Sequence, residues 1–152
     1  MSSMQTSIEA VRKSLVVNCD QQTAFEVFTR EIGTWWPIHE FKLADKDIIE
    51  VVFEEKAGGR IFERHTDGSE DEWGHVLAWE PPNRFVMSWF PTRTETDTTE
   101  LEVRFIPEGD STRVELEHRG WEIFAAEAEK TREGYDGGWN TVLGYYDRKL
   151  NA

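Results

Sequence analysis

Glu63 and His118 are the residues of this 152-residue chain whose type and phase point most directly to chemistry. Glu63 lies in the run Arg60 to Thr66, where strand parity turns inward either Ile61, Glu63 and His65 or Arg60, Phe62 and Arg64. The second choice buries two guanidinium groups, which is more costly than one carboxylate, so Glu63 leans inward by elimination. There it would act as a general acid or base, or hold a polar group of a ligand. The alternative is a rim glutamate paired with a nearby arginine. His118 is in phase with Val114 and Leu116, which places it on the inner face of its strand, either as a satisfied core histidine or as a proton carrier. If both residues face inward they form the natural acid-base pair for a cofactor-independent cyclase or hydrolase.

The aromatic residues supply the second kind of signal. Trp73, Trp89, Trp121 and Trp139 fall near predicted strand ends and on the last helix, with Tyr135 one turn before Trp139. They either line a ligand pocket, offering ring faces and a few N–H donors, or fill the same space. Trp73 is the least determined, because Trp73, His75, Leu77 and Trp79 compete with Gly74, Val76 and Ala78 for the inward side. His39, His65, His75 and His118 show no HExxH or comparable ligand spacing, so no metal is expected. Gly58-Gly59 leads into a strand rather than a helix N-terminus and so cradles no phosphate, and no serine or cysteine occupies a nucleophile elbow. No cofactor is expected either.

The elements that must position these residues follow from periodicity. Residues 1–10 are polar and aperiodic and read as a flexible arm. Val11 to Asn18 reads as a strand; Asp20 then caps a helix of about three turns carrying Ala24, Phe25, Val27, Phe28 and Ile32, stopped by Gly33. Thr34-Trp35-Trp36-Pro37 makes a stiff bend. From Lys46 the period becomes two, broken by turn chemistry every 8 to 12 residues: Ile49, Val51 and Phe53 share a face, Asp67-Gly68 marks a hairpin, Pro81-Pro82-Asn83 another break, and Thr92 to Thr98 a polar loop. Phe85, Met87 and Trp89, then Thr99, Leu101, Val103 and Phe105, continue the alternation.

One face of such a meander needs a cover, and the last amphipathic segment supplies it. Tyr135, Trp139, Val142, Leu143, Tyr146 and Leu150 form one helical stripe. Gly134, Gly137, Gly138 and Gly144 interrupt this helix and together forgo about 3 to 4 kcal/mol of helix propensity. They are expected either to let the helix lie close on the sheet or to leave room for a small molecule. The predicted architecture is α+β: a curved antiparallel sheet of six to seven strands wrapped around a long C-terminal helix, with two short helices after the first strand. Residues 11–150 form one domain.

Composition narrows the partners. A formal charge of -13, from thirty acidic and seventeen basic residues, repels phosphate backbones and anionic lipids, so neither nucleic acid nor membrane is expected. Cys19 stands alone, which excludes an internal disulfide, and no apolar run approaches a membrane span; a cytoplasmic location follows. Sheet edges and the Trp35-Trp36 bend would support a homodimer, and a monomer is equally consistent.

The ordered set Trp35-Trp36-Pro37, Gly58-Gly59-Arg60, Asp67-Gly68, Trp73-Gly74, Pro81-Pro82, Ser88-Trp89, His118-Arg119-Gly120-Trp121 and Gly138-Trp139 resembles the small stand-alone members of the family named for the activator of the 90-kDa heat-shock-protein ATPase. That family lies within the START-like SRPBCC superfamily, and the resemblance runs from about Val11 to Leu150. It implies the helix-grip (START / Bet v-like) fold, with a cavity between sheet and last helix that relatives use for apolar molecules. The expectation is a small apolar or aromatic ligand bound by Glu63, Trp73, Trp89, His118, Tyr135 and Trp139. Alternatives are the Glu63 and His118 cyclase or hydrolase, and a module that modulates a chaperone ATPase.

Overall fold

Alternating apolar and polar residues dictate most of the architecture in the computed structural model, which describes residues 8–37, 48–90 and 98–151. The arm up to residue 7, His39, the start of the period-two region at Lys46 and nearly all of the loop from Thr92 to Thr98 lie outside the described residues. The elements are β1 (Val11–Val17), α1 (Gln21–Phe28), a 3₁₀ turn (Ile32–Thr34), β2 (Ile48–Phe53), β3 (Arg60–His65), β4 (Glu70–Glu80), β5 (Arg84–Trp89), β6 (Thr99–Glu108), β7 (Ser111–Arg119), a second 3₁₀ segment (Trp121–Glu127) and α2 (Ala128–Asn151). Strands β2 to β7 form the expected six-strand meander. β1 closes onto β7, giving the seven-stranded order β1-β7-β6-β5-β4-β3-β2. The sheet curls around α2, the helix-grip arrangement.

Asp20 caps α1 as expected, its side chain accepting the Thr23 N–H at 2.8 Å. The helix is shorter than the sequence suggests. It ends at Phe28 with Thr29 as its C-cap, whose N–H (3.1 Å) and hydroxyl (2.8 Å) both donate to the Phe25 carbonyl, and the chain passes through Gly33 in the 3₁₀ turn. Ile8 donates to Glu122 at 2.8 Å and Arg132 donates to the carbonyls of Glu9 (2.7 Å) and Ala10 (3.1 Å), so residues 8–10 are tied down. Trp35 and Trp36 are both buried, which removes this bend as an exposed dimer face. Instead their rings, 5.8 Å apart, join two aromatic clusters: Trp35 packs on Phe28 and Tyr146, and Trp36 on Trp73, Trp89 and Trp139.

Three bulges correct the simple parity. Register shifts between Ile48 and Glu50 on β2, where Ile49 becomes the extra residue and turns out at 58% exposure, off the face of Val51 and Phe53. On β4 the extra residues are Trp73, between the pairs Ile61–Gly74 and Phe62–Glu72, and Leu77, between Val76–Met87 and Ala78–Val86. Two bulges in one strand change its phase twice. Trp73, Val76 and Trp79 all reach the core side, whereas Leu77 is 51% exposed. Gly74 is required at the first bulge, since a Cβ there would meet the Ser88 carbonyl oxygen at 1.7 Å.

The C-terminal helix is unbroken: α2 runs 24 residues through Gly134, Gly137, Gly138 and Gly144. Its stripe of Trp139, Val142, Leu143 and Tyr146 is buried, with Tyr135 and Leu150 packed at its margins. The Tyr146 hydroxyl donates to the Ala24 carbonyl at 2.8 Å, which locks α2 to α1, and burial lifts its pKa well above the ordinary range. A Cβ on Gly134, Gly137 or Gly138 would meet nothing within 4 Å, so close packing on the sheet does not explain these glycines.

Candidate functional site

Strand β3 sets the first half of the site. Arg60, Phe62 and Arg64 face outward, with the guanidinium carbons of Arg60 and Arg64 at 4.2 and 5.5 Å from the Phe62 ring, and this cover lets Phe62 occupy an outer position. Ile61, Glu63 and His65 therefore face inward, and Glu63 and His65 are fully buried. Glu63 Oε1 accepts the Trp73 indole N–H at 3.0 Å, and its Oε2 lies 2.7 Å from His65 Nε2. The bulge on β4 is what brings Trp73 to the inward side, where that donation becomes possible.

The hairpin after β3 adds two further polar groups. Gly68 adopts φ 87, a left-handed conformation that suits glycine, and its N–H donates to the His65 carbonyl at 2.9 Å. The next residue, Ser69, accepts the His65 N–H through its carbonyl at 2.9 Å, and its hydroxyl sits 3.1 Å from His65 Nδ1. Asp67 Oδ1 accepts from both the N–H (2.9 Å) and the hydroxyl (2.6 Å) of Ser69, an Asx turn that fixes the serine. Asp71 stands across from Glu63 in the β3–β4 register, its Oδ2 3.5 Å from His65 Nε2.

His118 anchors the second half, on β7 beneath α2. Trp139 donates its indole N–H to Nδ1 at 3.0 Å, and Nε2 lies 2.6 Å from the Thr99 hydroxyl. Because an N–H points at Nδ1, the ring proton is on Nε2 and is donated to Thr99, whose own proton goes to the Trp89 carbonyl at 3.3 Å. Burial lowers the His118 pKa from 6.5 to about 3, which agrees with a neutral ring. The Trp121 N–H donates to the His118 carbonyl at 2.9 Å, and Trp89 donates to the Tyr135 hydroxyl at 3.2 Å.

Between these halves lies a continuous set of rings. Trp73 and Trp89 are 5.8 Å apart, Trp89 and Trp139 5.4 Å, and Trp89 and His118 5.9 Å between centroids. Trp36 stands 4.7 Å from Trp73 and belongs to this set, a wall residue that sequence reasoning left in a bend. Glu63 and His118 are thus joined through Trp73 and Trp89 rather than to one another. The side chain in hydrogen-bond contact with Glu63 is His65, which shares its strand parity, and that parity makes it legible. Ser69 and Asp71 escaped notice because a hairpin, not sequence spacing, brings them to His65.

The donor atoms of Glu63, His65 and Asp71 lie within 4.8 Å of one another. Cys19 offers no competing chemistry: burial, with the charge of Asp20 adding, pushes its thiol pKa up and keeps it a poor nucleophile. No described helix is long and apolar enough to cross a membrane.

Residues 18–145 match the family model described as Activator of Hsp90 ATPase homolog 1-like protein. No curated protein matches the chain. Among solved structures, the anthrahydroquino-Gama-pyrone synthase Txn09, complexed with SUM, is 36% identical, with 88% of this chain and 90% of that chain covered at a TM-score of 0.58. The self-sacrificing resistance protein CalC from Micromonospora echinospora is 26% identical over 94% of both chains, with a TM-score of 0.68. The Aha1 dimer from Colwellia psychrerythraea, 13% identical over 94% of this chain and 96% of that chain with a TM-score of 0.66, shares the fold.

Proposed function

We propose a ligand-binding role for this chain, which belongs to the Activator of Hsp90 ATPase homolog 1-like protein family. It takes a small, flat, apolar or aromatic molecule between the sheet and α2, among Trp73, Trp89, Tyr135 and Trp139, with Trp36 as a further wall. The observation that carries this reading is the ring set itself, with a buried carboxylate at one end, on Trp73, and a neutral histidine at the other, on Trp139. Ring faces recognise a planar ligand, and the few polar groups orient it. In this reading Glu63 is the direct polar anchor. His118, with both ring nitrogens engaged, contributes by orienting Trp139.

A cofactor-independent cyclase or hydrolase is the second reading. It is favoured by the Glu63–His65 contact at 2.7 Å and by the 36% identical structure being that of a synthase. Glu63 would move the proton and His65, not His118, would be its partner.

A panel of planar aromatic polyketides, followed by quenching of tryptophan emission, tests the first reading. Trp139→Ala should weaken binding by more than its loss of stability explains. Binding that is unchanged in Trp139→Ala, or no quenching across the panel, ends it. Turnover that disappears in Glu63→Gln while binding persists would select the second reading.

A further inference from the structure

We propose that Glu63, His65 and Asp71 form a binding site for one divalent first-row transition ion, zinc in the first instance. The argument starts from hydrogen-bond roles. Ser69 gives its hydroxyl proton to Asp67 at 2.6 Å, so at 3.1 Å from His65 it is an acceptor and Nδ1 of His65 is the donor. Nε2 is then turned toward two carboxylates, Glu63 Oε2 at 2.7 Å and Asp71 Oδ2 at 3.5 Å, a place where a metal ion can replace the proton that otherwise joins His65 to Glu63. Three electron-pair donors converge on one point, and a cation belongs there.

The spacing suits a metal. Donors at about 2.0 to 2.2 Å from a tetrahedral zinc stand roughly 3.3 to 3.5 Å from one another; the 3.5 Å between His65 and Asp71 matches this, and Glu63 has to draw back from its 2.7 Å hydrogen-bond distance by less than about 1 Å to admit the ion. The charge suits it as well. Glu63 and Asp71 flank a single imidazole, with Asp67 behind it on Ser69, while the arginines of β3 are spent on the other face, Arg60 on Glu54, Glu70 and Glu72, and Arg64 on Glu50 and Glu70.

The surroundings have the form of an outer shell that holds metal ligands in place. Asp67 and Ser69 fix the His65 tautomer through Nδ1, and Trp73 fixes Glu63 through Oε1. Access exists on one side, since the Asp71 side chain is 43% exposed while Glu63 and His65 are wholly buried. An imidazole nitrogen in the set selects zinc, copper, iron or nickel over magnesium, calcium and manganese, which prefer oxygen. Three protein ligands leave a fourth position for water, as in catalytic rather than structural zinc sites. Neither the motif nor the spacing of the histidines reveals it, because the ligands are i and i+2 on one strand and a cross-strand neighbour. The inference does not depend on the ligand-binding reading above.

The test is zinc titration of the metal-stripped full chain by calorimetry, with cobalt(II) absorption as a second readout. One ion per chain is expected. Asp71→Ala, at a half-exposed position, should weaken binding at least about 100-fold, and Ser69→Ala about tenfold, through the loosened His65. His75→Ala, which removes the surface pair with Glu72 at 3.4 Å, should change nothing. Circular dichroism checks that each variant folds, and Asp71→Asn replaces Asp71→Ala if that one does not. No zinc uptake, or uptake unaltered by the Asp71 substitution, overturns the proposal.

Discussion

Trp139 on α2 gives its indole N–H to Nδ1 of His118 on β7 across 3.0 Å, and this one bond decides what the histidine can do. An N–H aimed at Nδ1 leaves no place for a second ring proton, and burial adds to the same effect, holding the pKa at about 3 against an ordinary 6.5. The unfolded chain therefore takes up a proton below about pH 6.5 that the folded chain refuses until about pH 3. More protons bound in the unfolded state means that stability is full above pH 6.5 and falls as pH drops through that window. The slope approaches about 1.4 kcal/mol per pH unit. Urea unfolding at pH 7, 6 and 5 should show this decline, and His118→Gln, whose amide can still meet Trp139 and Thr99, should flatten it. Equal slopes in the two proteins would refute the assignment.

The bulges on β4 make a prediction that plain alternation contradicts. Strict parity from Trp73 would place Leu77 with the core and Val76 outside, whereas the register shift at Trp73 reverses them, and the second shift at Leu77 returns Trp79 to the core side. Leu77→Lys should then change unfolding free energy by no more than about 0.5 kcal/mol. Val76→Lys places a charge in the core and should abolish cooperative unfolding. Thermal melts of the two variants decide the register, since an even strand would give the opposite order.

Much of this was legible in the sequence, and the gaps have identifiable physical causes. The inward turn of Glu63 follows from what each parity would bury, an argument that needs no partner. The stripe from Tyr135 to Leu150 and the meander were readable because periodicity reports which face is covered. The outward positions of Ile49 and Leu77 are not legible, because a bulge adds one residue without altering the hydrophobic pattern. Trp36 looked like a loop residue because its burial depends on Trp73, Trp89 and Trp139, which lie far from it in sequence. The contact between Glu63 and His65 is hidden for the same reason. His118 shares the chemistry of His65 but not its position, and the Asp67–Gly68 turn delivers His65, Ser69 and Asp71 instead.

Trp73 and Glu63 form a buried donor–acceptor pair whose loss should be asymmetric. Trp73→Phe keeps most of the ring and removes the N–H, leaving Glu63 Oε1 without the donor that now meets it at 3.0 Å. The expected destabilisation is about 1 to 3 kcal/mol, beyond the small change in apolar area. In a Glu63→Gln background the amide weakens the same bond, so the Trp73→Phe cost should shrink by about 1 kcal/mol. A double-mutant cycle from denaturant midpoints measures it. Additive effects would mean that the indole N–H and the carboxylate are not coupled.

The glycines of α2 offer the last test, and it separates two reasons for their presence. Were they there to let the helix approach the sheet, alanine would clash and destabilise. The structure gives the opposite geometry: a Cβ on Gly134 or Gly137 meets nothing within 4 Å, and both positions are exposed. Alanine there removes backbone freedom from the unfolded chain and gains helix propensity, about 0.8 to 1 kcal/mol at each site. Gly134→Ala with Gly137→Ala should therefore raise the unfolding free energy by about 1.6 to 2 kcal/mol, measured by denaturant titration. A neutral or negative result would show that the added methyl groups strike something, and would return these glycines to a packing role.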